Sequence, residues 1–298
     1  MTRHLLDISS LSVSELRHIL DLSVSEKTIT QKPLAGKGAA LIFEKPSNRT
    51  RHSMEMAVVA LGGHPVYTRG EEVGFDVRES VEDIAKIMAG YHAVLAARVF
   101  SHSVVERMAN VSSVPVINML SDVAHPLQAL ADVITMEELV GPIQNLTVAW
   151  IGDYNNVARS LGEAVCMLGG TFSLGCPAGY DASGQELQRL RDLGGTVRQS
   201  DDPANAVAGA HVVHTDTWIS MGQEEESQAR RAIFASYCVD VALMSQAEPK
   251  AAFMHCMPAH RGEEVFAEVF DGPSSLVIQQ GHHRLTAARG ALAWVMGL

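Results

Sequence analysis

One segment of this 298-residue chain combines hydroxyl, amide and cationic side chains at the start of a predicted helix. Ser47-Asn48-Arg49-Thr50 follows a predicted buried strand at residues 39–43 and opens a helix over about residues 50–61. A helix N-terminus offers free backbone N–H groups and the positive end of the helix dipole, so with hydroxyls and a guanidinium it suits a phosphate. The simpler alternative is that Ser47 or Asn48 only caps the helix.

A second group of polar residues lies later in the first half. His125 and Gln128 flank Pro126, which is well suited to the first position of a helix. Arg98 ends a predicted strand, where open α/β sheets bind their ligands. Taken singly, a capping histidine and a surface arginine are the commoner interpretations.

Polar residues also follow predicted strands in the second half. Asn155 and Asn156 follow a strand at 146–151, in a loop without the G-x-G-x-x-G dinucleotide fingerprint, and either cap a helix or bind a small polar ligand. Asp216 follows a strand at 211–214 and could bind an ammonium group, or simply form a turn. Cys256 follows a strand at 252–255, where a role in chemistry competes with that of an inert buried thiol.

The elements that position these residues alternate between short apolar runs and amphipathic stretches, which predicts a parallel α/β architecture. Residues 141–145 are the best candidate for a boundary between two domains. A capping box, Ser103 with Glu106, predicts a helix start. Helical character extends over 284–296. Further strands are predicted at 93–97, 114–118, 171–174 and 276–278.

The composition narrows the function classes. The 23 Lys and Arg against 34 Asp and Glu give a net charge of −11, which argues against a nucleic-acid partner. No run of 18 apolar residues or signal-peptide pattern occurs, and the four cysteines lack C-x-x-C spacing. We therefore expect a soluble, cytoplasmic protein with reduced thiols, no membrane or nucleic-acid partner, and no metal.

In this order, the segments resemble the aspartate/ornithine carbamoyltransferase family. S-N-R-T-R is similar to its S-T-R-T-R motif, and H-P-L-Q to its H-P-x-Q. The run from Asp216 to Ser220-Met221-Gly222, with H-C-M-P and the A-H-R-G-E that follows, resembles the ornithine branch. The resemblance covers nearly the whole chain.

The resemblance implies two α/β domains, each a parallel sheet flanked by helices. Residues 1–140, completed by a C-terminal helix at 284–298 that packs back on them, would bind carbamoyl phosphate; residues 146–283 would bind ornithine. It further implies an active site in the cleft between the domains and at a subunit contact, in a homotrimer or a multiple of trimers. The carbamoyl transfer that the resemblance implies needs no cofactor or metal, because phosphate is a good leaving group.

The resemblance also implies a role for each matched residue. Arg98, His125, Asp216 and Cys256 would be catalytic. The residues expected to bind carbamoyl phosphate are Ser47, Asn48, Arg49, Thr50, Arg98, His125, Gln128, Cys256, Met257 and Arg284. Those expected to bind ornithine are Asn156, Asp216, Ser220 and Met221.

The chain departs from the family pattern at a few positions. Asn48 replaces a Thr, Leu127 a Cys, and His283 an Asn, while Gly74 falls where a Gln or His usually reaches the neighbouring subunit. Two alternatives stay open. One is carbamoyl transfer to putrescine, acetylornithine or aspartate, and the other is an inactive relative that serves as a ligand-binding subunit.

Overall fold

A computed structural model describes residues 2–219 and 224–298 and divides the chain into two compact units. Unit 1 contains residues 1–131 and 283–298, and unit 2 contains residues 132–282. Each unit holds one parallel sheet with helices around it. The predicted α/β class, with two parallel sheets, is confirmed.

Unit 1 is built on a four-stranded sheet in the order β2-β1-β3-β4. The strands are β1 (Gly38–Phe43), β2 (His64–Arg69), β3 (Val94–Arg98) and β4 (Val116–Leu120). The helices are α1 (Val13–Val24), α2 (Glu26–Gln31), α3 (Asn48–Ala60), α4 (Gly70–Val73), α5 (Val81–Ala89) and α6 (His102–Val111). Helix α7 (Pro126–Leu139) begins in unit 1, and its Pro126 occupies the first position as predicted.

Unit 2 is built on a five-stranded sheet in the order β7-β6-β5-β8-β9. The strands are β5 (Thr147–Ile151), β6 (Thr171–Gly175), β7 (Thr196–Ser200), β8 (Val212–Thr215) and β9 (Ala252–His255). The α-helices are α8 (Asn156–Met167), α9 (Gly184–Asp192), α10 (Pro203–Val207), α11 (Ser227–Phe234), α12 (Val241–Met244) and α13 (Ala267–Phe270). Short 3₁₀ helices lie at Ile143–Asn145, Glu224–Glu226 and Ala235–Tyr237.

The strand orders create one switch point in each sheet, where neighbouring strands connect to opposite sides. In unit 1 it lies between β1 and β3, which pair Phe43 with Arg98 at their carboxyl ends. In unit 2 it lies between β5 and β8, which pair Ile151 with Thr215. Ligands of open parallel sheets bind outside such points.

Buried apolar side chains hold both sheets in place. The central strands are covered on both faces, and Trp150 on β5 is completely buried. Because both faces of these strands are buried, their sequences are continuous apolar runs. Among the described residues, no helix combines the length and apolarity needed to cross a membrane.

The C-terminal helix α14 (Val277–Val295) packs on the first helices of unit 1 through its second half. Arg3 donates to the Trp294 carbonyl at 3.1 Å, and Arg289 donates to the Ser23 carbonyl. Helices α1 and α14 approach closely at Gly290. A Cβ on this residue would lie 1.9 Å from Ser23 Oγ and 2.6 Å from the Ile19 carbonyl oxygen. The prediction that this helix returns to the first domain is confirmed.

The strand predicted at 276–278 is wrong. Residues from Val277 onward begin α14, with Val277 buried and Ile278 55% exposed. A run of three apolar residues is too short to show the spacing of apolar positions that distinguishes a strand from a half-buried helix. Strands β2 and β7 were not predicted, because both are edge strands with polar or charged residues along them.

The capping box predicted at Ser103 is also wrong. Helix α6 begins at His102, with Ser101 as its N-cap residue and no side-chain cap bond. The Asp122 carboxylate accepts the His102 N–H at 2.7 Å, so a tertiary contact satisfies one of the N–H groups that the first turn leaves unpaired.

The close contact at Gly290 predicts a stability effect. Gly290→Ala should lower the free energy of unfolding by about 1–3 kcal/mol, since the added methyl forces α1 and α14 apart. Chemical denaturation followed by circular dichroism measures the change. Gly184→Ala, where no atom lies within 4 Å of the added Cβ, is the matched control and should be neutral or slightly stabilising. Equal stability of the two variants would contradict the packing described here.

Candidate active site

The N-terminus of α3 is shaped by Ser47 and Thr50. Ser47 is the N-cap residue: its hydroxyl accepts the Thr50 N–H at 3.3 Å and lies 3.1 Å from Thr50 Oγ1. Asn48 is exposed and Arg49 is partly exposed, in the first turn of the helix. The Ser47 hydroxyl therefore caps the helix and also contacts the Thr50 hydroxyl.

Thr50 Oγ1 is the point where two guanidinium groups meet in unit 1. Arg98 Nη1 donates to it at 3.4 Å and Arg284 Nη2 at 3.1 Å. Arg284 Nη1 also donates to Gln128 Oε1. All four side chains are buried, at 1–7% exposure. The β1–β3 switch point places Arg98 beside the first turn of α3, which contains Thr50, and α7 and α14 supply the other two residues.

Burial and the nearby arginines lower the pKa values of two titratable groups at this cluster. His125 is buried, and burial, with Arg284 and Arg98 as further causes, holds the pKa of its imidazole well below 6.5. Burial and then Arg98 also lower the pKa of Lys45. His125 is therefore neutral at physiological pH, and one ring nitrogen carries a proton that it can donate.

The structure places Arg51 outside this cluster. The S-N-R-T-R motif also contains Arg51, but its Nε donates to Glu55 at 2.8 Å and its guanidinium lies 3.8 Å from the Tyr67 ring centroid. Since α3 turns about 100° per residue, Arg51 points to a different face from Thr50.

The loop of residues 70–79 folds against unit 1. Gly74 has φ 58° and ends α4, and Arg107 on α6 holds the loop through a pair of bonds to Asp76 at 2.6 and 2.9 Å. Arg107 binds Glu82 as well, which fixes the loop to the start of α5. This is the segment in which the family motif has its Gln or His.

In unit 2, Asp216 is the centre of a polar cluster at the β5–β8 switch point. Its Oδ2 accepts from Asn155 Nδ2 at 2.9 Å, and its Oδ1 accepts from the Thr217 N–H at 2.8 Å and from Cys256 Sγ at 2.9 Å. Asp216 and Cys256 are both partly exposed, so the carboxylate and the thiol are accessible together. Parallel pairing of β8 with β9 sets their separation, because Thr215 is opposite His255.

The backbone after β9 is fixed by a buried histidine. His255 Nδ1 accepts the Met257 N–H at 2.8 Å, and its Nε2 lies 3.1 Å from Glu264 Oε1. Met257 has φ 56°, a conformation that is costly for a residue with a side chain and is often kept at functional sites. Ligand atoms of Asp216, His255 and Cys256 lie within 4.8 Å of one another, but both ring nitrogens of His255 are already engaged.

Two predicted ornithine ligands cannot be placed, since Ser220 and Met221 lie outside the described residues. Asn156 occupies the first position of α8, next to the N-cap Asn155. It is Asn155 that binds Asp216, while also accepting the N–H groups of Val157 and Ala158. The resemblance favoured Asn156, whereas the residue pattern alone gave both asparagines as possible caps or ligands.

Comparison with protein families gives two adjacent matches. Residues 3–138 match the carbamoyl-P binding domain of aspartate/ornithine carbamoyltransferase, and residues 144–295 match its Asp/Orn binding domain. Among curated proteins, the chain is 44% identical to an ornithine carbamoyltransferase of Rhizobium meliloti, with 100% of this chain and 99% of that protein covered. It is 40% identical to the Brucella suis enzyme of the same name, covering 99% and 96%.

Solved structures give the same similarity. The ornithine carbamoyltransferase from Pyrococcus furiosus superposes with a TM-score of 0.94 at 41% identity, covering 99% of this chain and 97% of that one. The Thermus thermophilus enzyme gives 0.89 at 40% identity, covering 99% of both.

The buried setting of His125 predicts its protonation state. Because its pKa is lowered, the imidazole should stay neutral at pH 5.5 in the folded protein. In the urea-unfolded chain the pKa should return to the usual histidine value of about 6.5, so the imidazole should be mostly protonated at pH 5.5. Nitrogen-15 NMR of labelled histidine measures this, with His125→Asn used to assign the signal. Protonated His125 in the folded protein at pH 6.5 would contradict the electrostatics of the cluster.

Proposed function

This chain belongs to the aspartate/ornithine carbamoyltransferase family, and from that premise we propose that it transfers the carbamoyl group of carbamoyl phosphate to the δ-amine of L-ornithine. The products are L-citrulline and phosphate. The observation that carries the proposal is the convergence of Arg98 and Arg284 on Thr50, beside the N-terminus of α3. That arrangement suits a small dianion with a polarised carbonyl.

The phosphate end binds at the start of α3. Ser47, Asn48, Arg49 and Thr50 present hydroxyls, backbone N–H groups and a guanidinium at the positive end of the helix dipole. Hydrogen bonds to a charged group contribute roughly 1.5–3 kcal/mol each. Several of them together give the site its preference for phosphate.

The carbamoyl end binds Arg98, His125, Gln128 and Arg284. Arg98, Thr50 and the neutral imidazole of His125 donate to the carbonyl oxygen, where negative charge develops as the amine attacks. A neutral imidazole can donate without adding a third full charge to a buried cluster that already holds two guanidiniums.

Ornithine binds in unit 2 through Asp216, with Asn156, Ser220 and Met221. The Asp216 carboxylate attracts the side-chain ammonium of ornithine and, after proton loss, accepts a hydrogen bond from the δ-amine. A carboxylate here disfavours aspartate, whose second carboxylate would need a cation. This is why ornithine is favoured over aspartate.

The reaction forms one bond and breaks one. The neutral δ-nitrogen attacks the carbonyl carbon, and the tetrahedral centre then expels phosphate by breaking the carbon–oxygen bond to it; the nitrogen loses one proton, which the departing phosphate takes up. Cys256 and the Met257 backbone flank the reacting amine and carbonyl, and the thiol, which donates to Asp216 at 2.9 Å, orients the amine. Most of the acceleration comes from orienting two substrates and stabilising charge.

Three finer features are supported by the family resemblance alone: a homotrimer or multiple of trimers, a cytoplasmic location and a place in arginine metabolism. Sedimentation equilibrium measures the first, against the chain mass of 32.1 kDa.

A panel of amines tests the function directly. With carbamoyl phosphate, the purified chain should convert ornithine to its carbamoyl product much faster than putrescine, acetylornithine or aspartate, measured by mass spectrometry of the product. Asp216→Asn should cut kcat/KM for ornithine by roughly 100-fold or more, since it removes the charge that attracts the ammonium.

The matched control is Asp240→Asn, a cap residue in the same unit, whose activity should equal that of the wild type. Preference for another amine would contradict the ornithine assignment, and absence of turnover with all four would favour a ligand-binding relative. Unchanged ornithine kinetics in Asp216→Asn would remove the role given to Asp216.

A further inference from the structure

A buried glutamine in unit 2 contacts the backbone next to Cys256 and the side chain of His214, two residues before Asp216. Gln280, in the first turns of α14, is 1% exposed. Its Oε1 accepts the N–H of His255 at 2.9 Å, one residue before Cys256. Because a backbone N–H can only donate, this bond fixes which end of the amide is oxygen.

The other end of the amide contacts the neighbouring strand. Gln280 Nε2 donates to Asp132 Oδ1 at 2.7 Å and lies 2.9 Å from His214 Nε2, which is itself 3.3 Å from Asp132 Oδ2. Because a carbonyl oxygen can only accept, the Nδ1 of His214 that faces one carries a proton. That proton is donated to the Thr215 carbonyl at 3.1 Å, which belongs to the peptide bond that leads into Asp216.

Packing leaves this group of side chains little freedom. Asp132 and His214 are 0% exposed, and the His214 ring stacks on Trp150 with centroids 5.0 Å apart. A buried amide bonded at both ends is costly to displace, since each lost partner leaves a polar group without water.

We propose that Gln280 is a positioning residue that sets the spacing of the Cys256 thiol and the Asp216 carboxylate, directly on the β9 side and through His214 on the β8 side. Cys256 follows the end of β9 and Asp216 follows the end of β8, and their Sγ and Oδ1 atoms lie 2.9 Å apart. Gln280 contacts the last residue of β9 and His214 on β8. The inference rests on the proposed function for its consequence in catalysis. The positioning itself is a property of the folded chain.

Gln280→Met tests this, because it removes both ends of the amide and keeps the length of the side chain. We expect the KM for ornithine to rise about tenfold and kcat to fall, with the KM for carbamoyl phosphate within twofold of the wild type. Gln188→Met is the matched control, since that amide also donates to an aspartate, at 2.8 Å, but on an exposed surface.

A second readout does not need turnover. The rate at which iodoacetamide alkylates Cys256, measured by peptide mass spectrometry without substrates, should rise several-fold in Gln280→Met, because a carboxylate held beside the sulfur repels the thiolate that reacts. Alkylation of the partly exposed Cys238 should stay unchanged, whereas general loosening of the unit would raise both rates.

Wild-type rates at Cys256 and a wild-type KM for ornithine in folded Gln280→Met would overturn the proposal. Equal rises at Cys238 and Cys256 would also overturn it. If the wild type turns over no amine, the proposed function fails, yet the alkylation rates still decide the role of Gln280. If Gln280→Met does not fold, His214→Phe, which keeps the stacking on Trp150, takes its place: faster alkylation of Cys256 supports the proposal, and an unchanged rate refutes it.

Discussion

The site depends above all on the convergence of two buried guanidiniums on one threonine hydroxyl. Burying Arg98 and Arg284 together is unfavourable in an apolar interior, and the surrounding groups of unit 1 offset that cost with hydrogen bonds. A dianion beside them gains from the positive field of the two arginines, which, after burial, also contributes to the lowered pKa of His125. The chain as a whole has a net charge of −11, so the attraction for an anion is a local property of this cluster.

Parallel-sheet topology explains how distant residues reach each site. In both units, the strands that meet at the switch point carry their functional residues just past the carboxyl end. In unit 1 the β1–β3 pair brings the loop before Thr50 to Arg98; in unit 2 the β5–β8–β9 set aligns Asn155, Asp216 and Cys256. The same topology thus brings a threonine and an arginine together in unit 1, and a carboxylate and a thiol together in unit 2.

The sequence was informative where chemistry is local. Strands covered on both faces are apolar runs, and Pro126 marks a helix start, so these elements were predictable. The edge strands β2 and β7 carry polar residues and gave no such signal, and the apolar run at 276–278 fits a helix equally well. The Ser103 capping box was wrong because helix α6 begins before Ser103, at His102, whose N–H binds Asp122 from a different element.

The residues proposed to face the substrates came from resemblance to a family, whereas the buried residues bonded around them gave no such signal. Asn155, His214 and Gln280 act through partners 61, 66 and 25 positions away, which no local spacing reveals. Such contacts depend on strand order and helix packing, which single-sequence patterns leave open.

Equilibrium binding of carbamoyl phosphate to Thr50→Val, compared with the wild type by titration calorimetry, tests the central claim most directly. The variant keeps the shape of the side chain and removes the hydroxyl on which both guanidiniums meet. The account predicts affinity at least roughly tenfold weaker, about 1.4 kcal/mol, while Thr171→Val in unit 2 binds as the wild type does. Wild-type affinity in a folded Thr50→Val protein would contradict it.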